Sequence, residues 1–331
     1  MEFIEAKTIL QRAAHGTEWF GIDYNMNLYK GCCHKCIYCD SRSNCYQVED
    51  FDRVRAKKDE IEILNQELRN KRKKGVIGIG AMSDTYNPFE KQYEITKKAL
   101  ELISYYKFGV SIETKSNLII RDIEIFNEIN KKADVILKFT ITSADDNLSK
   151  KIEPNVCVSS ERLKAMRQLS EQGLFVGTLL TPIIPFITDS EENIRNIIKL
   201  SYKNGAKFVF SMGGVTLREN QREYFYKQLD KNFPKLKEKY IKIYGNNYFC
   251  YPLNKNLSKI FKEECERYGL LYKMNDIIKS YKKEAKQEEQ QRHLGTIIYI
   301  CYHILALTSI PTIDIEPHKF KGARSWLTVL L

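Results

Sequence analysis

The sequence predicts an α/β fold: a partial (β/α)6 TIM-type barrel of parallel strands carrying a helical C-terminal extension. Three observations carry that expectation. Short β-branched runs alternate with amphipathic stretches across residues 23–212, the pattern of βαβ units with right-handed crossovers. Roughly six such strands can be distinguished, too few for an eight-stranded barrel and enough for a partial one. The chain has 331 residues, 43% hydrophobic and 29% charged, a near-average globular composition that excludes a disordered or fibrous protein and leaves room for a large core.

Each element follows from apolar period, caps and breakers. Residues 23–28 (DYNMNL) alternate in polarity and read as the first strand. Residues 57–74 read as a helix with Ile61, Ile63, Leu64 and Leu68 as apolar positions. Residues 76–82 (VIGIGAM) form a short buried-type strand. Residues 90–106 are helical, with Ile95, Leu100 and Ile103 on one side. Residues 109–114 form a strand, 121–133 a helix and 134–142 a strand rich in β-branched residues. Ser159-Ser160-Glu161 opens a helix that Gly173 stops. Residues 174–184 form a strand ending in proline, 190–205 a helix between a Ser-Glu-Glu start and a Gly stop, and 207–212 the next strand. In such folds the chemistry sits at the carboxyl ends of strands. Ser83-Asp84, Lys115 and Ser143 all follow strands and converge there.

The chain divides into a barrel core over residues 1–218, a basic, tyrosine-rich extension over 219–293 with helical patches such as 258–268, and an apolar tail over 294–331. Within the tail, residues 296–310 are nearly uncharged but shorter than the roughly 20 residues a spanning helix needs. They read as a buried terminal helix, and no membrane partner is expected. The start, MEFIEAKTIL, has no basic n-region ahead of an apolar run, so no signal peptide is expected and the cytoplasm is the expected compartment. The sequence sets no oligomeric state.

The formal charge of +11, from 53 Lys+Arg against 42 Asp+Glu, is compatible with nucleic acid as a partner. The lysines are spread along the chain, which suits an ordinary solvated basic surface equally well. Tyr240, Tyr244, Tyr248 and Phe249, interleaved with Lys237, Lys239 and Lys242, are candidates for a stacking and phosphate-binding surface.

The nine cysteines are more specific. Cys32, Cys33, Cys36, Cys39 and Cys45 crowd into one stretch. In a long chain of a reducing compartment, clustered thiols point to metal or redox chemistry, not to a disulfide framework. One framing is zinc, held by four thiolates or by three with His34. Structural zinc sites usually pair ligands across a longer loop, and here no second pair follows. The other framing is a [4Fe-4S] cluster. The spacing Cys32-x-x-x-Cys36-x-x-Cys39 sets three soft thiolates on one loop, suited to three corners of a cubane. Cys32 is preferred over Cys33 because only it leaves three residues before Cys36. The fourth iron is then open to a small chelating ligand, the arrangement that reductive cleavage of S-adenosylmethionine requires.

The segment resembles the CxxxCxΦC signature of radical SAM enzymes, with Tyr38 as the aromatic residue. The strings GVIGIGAMSDTYNPFEKQYEITKKALELI, ETKSNLIIRDIEIF, TITSADDNLSKKIEPN and LLTPIIPFITDSEENI are similar to the spore photoproduct lyase-like branch, also called DNA repair photolyase-like. The resemblance implies Cys32, Cys36 and Cys39 as cluster ligands and S-adenosylmethionine as cofactor. It places the Tyr38 backbone against the adenine, Ser83 and Asp84 near the amino acid end, Lys115 at the carboxylate and Thr140 near the ribose, with Thr142 as its same-face neighbour. It also implies a one-electron reductant such as a flavodoxin or ferredoxin. Glu90, Glu153-Pro154 and Arg162 match the branch pattern too, though a helix-start role suits them as well.

Two departures stand out. Spore photoproduct lyases carry a cysteine just before the Ser-Asp pair, where this chain has Gly80-Ala81-Met82. They carry a tyrosine after the third cluster cysteine, where this chain has Asp40. The radical-generating half of the pattern is present and the photoproduct-specific half is not. The expected function is therefore a radical SAM enzyme that makes a 5′-deoxyadenosyl radical and acts on a different substrate. The rival reading is a zinc-binding nucleic-acid module that uses the same cysteines structurally.

Overall fold

A computed structural model describes residues 1–13 and 18–283. The apolar tail and its expected terminal helix lie outside the described residues. In chain order the strands are β1 (Glu2–Ile4), β2 (Leu10–Arg12), β3 (Tyr24–Met26), β4 (Tyr29–Lys30), β5 (Arg55–Lys57), β6 (Val76–Ile79), β7 (Gly109–Thr114), β8 (Val135–Thr140), β9 (Val176–Leu179), β10 (Phe208–Phe210), β11 (Val215–Thr216) and β12 (Phe249–Cys250). The main sheet has seven strands in the order β10-β9-β8-β7-β6-β3-β2. From β3 to β10 every neighbour pair is parallel and in chain order, with β4 and β5 set aside in a separate three-stranded sheet with β1; only the edge strand β2 is antiparallel. This is the partial six-stranded barrel that the sequence pattern implies.

The helices are α1 (Glu60–Asn70), α2 (Glu90–Tyr93), α3 (Ile95–Tyr105), α4 (Ile123–Lys132), α5 (Asp146–Ile152), α6 (Ser159–Glu171), α7 (Glu191–Lys203), α8 (Gln221–Asn232), α9 (Leu236–Tyr244), α10 (Leu257–Arg267) and α11 (Met274–Tyr281). The expected helix over 90–106 is broken into α2 and α3 at Glu94, which has φ 51°. The break lets the buried Glu90 carboxylate accept from the Thr96 amide at 2.7 Å, satisfying a backbone donor in the first turn of α3. The expected strand over 174–184 shortens to β9, and Pro182 beyond it has no N–H for a ladder. Helix α5, capped by the Asp145 carboxylate on the amides of Asn147 and Leu148, was not marked by the sequence pattern.

Strand alternation sorts the core. Ile77, Ile79, Val110, Ile112, Leu137 and Phe139 face the helices in one large cluster. On the other face Val76, Ile136, Leu179 and Phe208 pack with Phe20 and with Ile277 and Tyr281 of α11, which fills that side of the sheet. Residues 219–283 belong to the same compact unit as the barrel, Met1–Lys283. The expected boundary after residue 218 is thus not a break between separate bodies: α10 packs on α7, and α8 packs against the cysteine loop. Among the described residues no helix is long and apolar enough to cross a membrane.

Candidate metal and cofactor site

The parallel register decides which side chains reach the carboxyl end of the barrel. Ser111 pairs with Ile136 and Glu113 with Lys138. Two-residue alternation then puts Lys115, just past β7, and Thr140, at the end of β8, on the same inner face. Gly80, just past β6, has φ 100°, and a Cβ there would meet the Glu113 carbonyl oxygen at 2.1 Å. Any side chain at this position would push the two strand ends apart.

The cysteine loop follows β4. Gly31 has φ 82°, and a Cβ on it would lie 2.3 Å from the Arg53 carbonyl oxygen. This close approach lets the Cys32 amide donate to the Phe51 carbonyl at 2.7 Å. The loop is then tied down by other elements. The Ile37 amide donates to the Ile152 carbonyl at 2.9 Å, and the Asn155 amide to the His34 carbonyl at 3.2 Å. The Asn155 side chain donates to the Cys33 carbonyl at 2.8 Å, and Gln221 of α8 to the Tyr38 carbonyl at 3.1 Å. Cys32, His34, Cys36, Tyr38 and Cys39 line one cleft together with Gly80, Ala81, Met82, Asp84, Glu113, Thr114, Lys115 and Thr140.

Burial dominates the electrostatics of the thiols. It pushes Cys36 well above the ordinary thiol range, with Lys115 opposing. It pushes Cys39 up to about 11, with Cys32 adding to the shift and Lys115 and Arg42 opposing. At Cys32 burial also pushes up, but the neighbouring His34 outweighs it and the net shift is downward. Burial therefore favours keeping the protons on Cys36 and Cys39. Metal ligation would release them. The Lys115 ammonium has no hydrogen-bond or ion-pair partner among the described residues. Burial lowers its pKa, but Cys36 when ionised, Glu153, Asp84 and Cys39 when ionised outweigh burial and shift it upward.

Asp84 and Glu153 brace the cleft from either side. Asp84 accepts from the Thr114 hydroxyl at 2.7 Å, the Lys115 amide at 2.7 Å and the Tyr86 amide at 3.0 Å, and it faces His34 Nδ1 at 3.6 Å. It locks the turn after β6 to the end of β7. Glu153 is fully buried and accepts from the Tyr38 phenol and, at 3.3 Å, from the Thr142 hydroxyl. Its Oε2 lies 2.6 Å from Arg162 Nη2, an ion pair off the hydrogen-bond axis that leaves both atoms with no aligned partner. Arg162 in turn donates to the carbonyls of Thr140 and Cys157, both at 2.9 Å. Burial pushes the Glu153 carboxyl up, but Arg162 and Lys115 outweigh it and keep it ionised.

The structure thus gathers Cys32, Cys36, Cys39, Tyr38, Asp84, Lys115 and Thr140 at one cleft. It does not bring Ser83 or Thr142 to the cleft wall. β8 ends at Thr140, so alternation stops, and Thr142 turns to Glu153. Several partners carried too little signal in the sequence. Glu153 caps the end of α5 and does not start a helix. Glu90 does start α2, but its buried carboxylate also accepts from the Tyr29 phenol and pairs with Arg121 at 3.0 Å. Asp40 accepts from Thr216 at 2.7 Å and Tyr46 at 2.6 Å, pinning the two-stranded β11–β12 sheet to the cysteine loop. The expected aromatic surface is only partly present. Tyr240 is buried and donates to the Pro185 carbonyl at 2.8 Å, and Tyr244 is buried beside it, whereas Tyr248 is exposed.

A parallel partial barrel with a thiol loop after its first strand defines the class. The model of the radical SAM superfamily matches residues 26–198, more than half of the chain, and the protein belongs to that superfamily. It is 32% identical over 193 residues to an uncharacterized protein of Methanocaldococcus jannaschii, covering 58% of this chain and 71% of the other. It is 26% identical over 228 residues to an uncharacterized protein of Mycobacterium tuberculosis, covering 67% of each. A solved spore photoproduct lyase variant shares the fold with a TM-score of 0.61 at 16% identity, covering 82% of this chain and 81% of that one. A second variant, with bound AdoMet and dinucleoside spore photoproduct, gives 0.57 at 17% identity over 76% of each chain.

Proposed function

We propose that the protein is a radical SAM enzyme that holds a [4Fe-4S] cluster through Cys32, Cys36 and Cys39, binds S-adenosylmethionine beside it, and acts on a substrate other than the spore thymine dimer. The observation that carries the reading is the unpaired Lys115 ammonium lining the same cleft as the three thiols. The donor set suits the cluster, because a cubane takes one thiolate per iron. Among the described residues no three His, Cys, Asp or Glu side chains gather closely enough for a single metal ion. When bound, the cluster and cofactor supply one-electron cleavage of the sulfonium C–S bond and, with it, a 5′-deoxyadenosyl radical.

The chain's own residues would hold that chemistry in place. Lys115 offers its charge to the thiolates and to the cofactor carboxylate. Thr140 offers a hydroxyl toward the ribose. Asp84 is fully engaged by Thr114, Lys115 and Tyr86, so its role is to fix the cleft wall. Glu153 holds the Tyr38 phenol and so fixes the last turn of the loop. Gly80, Ala81 and Met82 stand at the wall where a lyase has its hydrogen-donating thiol, which supports a different substrate.

The test is anaerobic reconstitution with iron and sulfide. A brown, reducible protein that converts S-adenosylmethionine to methionine and 5′-deoxyadenosine is expected. Colourless protein with tightly held zinc overturns the enzyme reading, and reversal of the thymine dimer overturns the substrate reading.

A further inference from the structure

The chemistry proposed above takes one electron from outside the chain for each cleavage. A second cleft lies beside the cysteine loop, between the end of α5 and the face of α8. Lys150, Lys151, Pro154, Gln228 and Lys231 line it. The three lysines are exposed, and none has an ion-pair partner among the described residues. Lys35, also exposed, sits in the cysteine loop itself at φ 58°.

Both walls of this cleft are joined to the thiol loop. The Ile152 carbonyl at the end of α5 accepts from the Ile37 amide at 2.9 Å. Tyr224 of α8 donates to the Lys35 carbonyl at 3.3 Å. Ile152, and Phe225 and Leu229 of α8, share one buried cluster with Cys36, Ile37 and Tyr38. Yet the cleft shares no lining residue with the cofactor cleft. Ile37, Ile152 and Glu153 are buried, line neither cleft and form a packed layer joined to the walls of both. A substrate atom cannot cross that packed layer to meet a radical, whereas an electron needs no open path.

We infer that this basic cleft is the docking surface for an acidic one-electron carrier protein, which reduces the cluster through the layer of residues 36–38. The inference rests on the cluster assignment above. The balance is simple: the carrier loses one electron, the cluster gains it, and no bond is made or broken. Unpaired lysines around a concave surface attract an acidic partner and raise its association rate, and added salt screens that attraction.

The experiment uses the reconstituted holoprotein and reduced flavodoxin as the acidic carrier. Cluster reduction is followed by stopped-flow bleaching, and flavodoxin binding by calorimetry. In the Lys150→Glu, Lys151→Glu, Lys231→Glu triple variant, carrier-driven reduction and binding are expected to fall at least about tenfold. The wild-type rate should fall as salt rises. Cleavage of S-adenosylmethionine driven by dithionite, which needs no docking, should be unchanged. A control triple at exposed lysines outside the cleft, Lys199→Glu, Lys255→Glu and Lys262→Glu, carries the same net charge and should reduce at the wild-type rate. Equal carrier rates in wild type and cleft variant overturn the inference, as does an equal loss in the control. A single-stranded oligonucleotide that binds the wild type and not the cleft variant, with carrier rates unchanged, assigns the cleft to nucleic acid instead. Failure of wild-type cleavage with dithionite would count against the enzyme reading itself; intact cleavage with no cleft effect counts against the docking surface alone.

Discussion

The two sides of the barrel mouth are held very differently. On the side of β3, β6, β7 and β8, the loops are buried and cross-tied: Asp84 to Thr114 and Lys115, Glu153 to Tyr38, Thr142 and Arg162, and Glu90 to Tyr29, Thr96 and Arg121. On the side of β10 the loop is open. Met212 is 58% exposed, Gly213 and Gly214 follow it at positive φ, and Tyr248 and Tyr251 flank β12 at 65% and 63% exposure. The contrast separates two tasks. Chemistry shared across a superfamily needs groups fixed to fractions of an ångström by their own supporting bonds. Choice of substrate is carried by loops that a rigid scaffold can afford to vary.

The strongest way to break that comparison is to attack the fixed half at its thiols. Cys36→Ala should take up almost no cluster on reconstitution and lose cofactor cleavage, while Cys33→Ala should retain both. Iron, sulfide and visible absorbance measure the first, and product chromatography the second. The reverse pattern would move the ligand set. Next in size is the buried ion pair. Arg162→Leu leaves the Glu153 carboxylate fully buried and without its paired guanidinium, a loss of about 3–5 kcal/mol by urea denaturation. Adding Glu153→Gln removes the stranded charge and should recover much of that loss. If the single variant unfolds at the wild-type midpoint, the carboxylate is not held as the structure shows.

How much of this was legible in the sequence follows from how local each signal is. The cysteine spacing and the apolar runs of β7 and β8 are contained in a few consecutive residues, so they could be read directly. The barrel order follows because each crossover joins neighbours. Partners set by tertiary packing could not be read: the Tyr38 phenol meets a carboxylate 115 residues away. Lysines and tyrosines alternate along α9, which suggests a stacking surface. The helical period instead puts Tyr240 and Tyr244, four apart, on one face against α8 and Phe186, and the lysines on the others. Asp40 reads only as a missing phenol; its work as the anchor of the β11–β12 sheet appears once Thr216 and Tyr46 are beside it.

A smaller effect tests the barrel interior below the fixed half. Lys138 is buried, donates to the Ser111 hydroxyl at 3.0 Å and lies 3.6 Å from Glu113. Burial depresses its pKa below the ordinary lysine value, and Glu113 only partly offsets this. Between the depressed value and about 10.4 the unfolded chain holds the extra proton, so this residue makes stability rise with pH across that alkaline window. Lys138→Met removes the contribution. Urea midpoints for variant and wild type, measured at several pH values below 10, should converge as pH rises. Parallel midpoint curves would show that Lys138 titrates alike in both states.

The open half should give the smallest change in stability and the most selective change in function. Met212 follows β10 at the carboxyl end of the barrel and packs against little, so Met212→Ala should shift stability by no more than about 0.5 kcal/mol. Cofactor cleavage in the absence of substrate depends on groups across the mouth and should stay at the wild-type rate. Once a substrate is found, the coupling of cleavage to substrate turnover is the quantity that should move. Tyr248→Ala and Tyr251→Ala extend the same test to the ends of β12. Loss of uncoupled cleavage in any of the three would mean that the open side also positions the cofactor, and the division between a fixed half and a selecting half would fail.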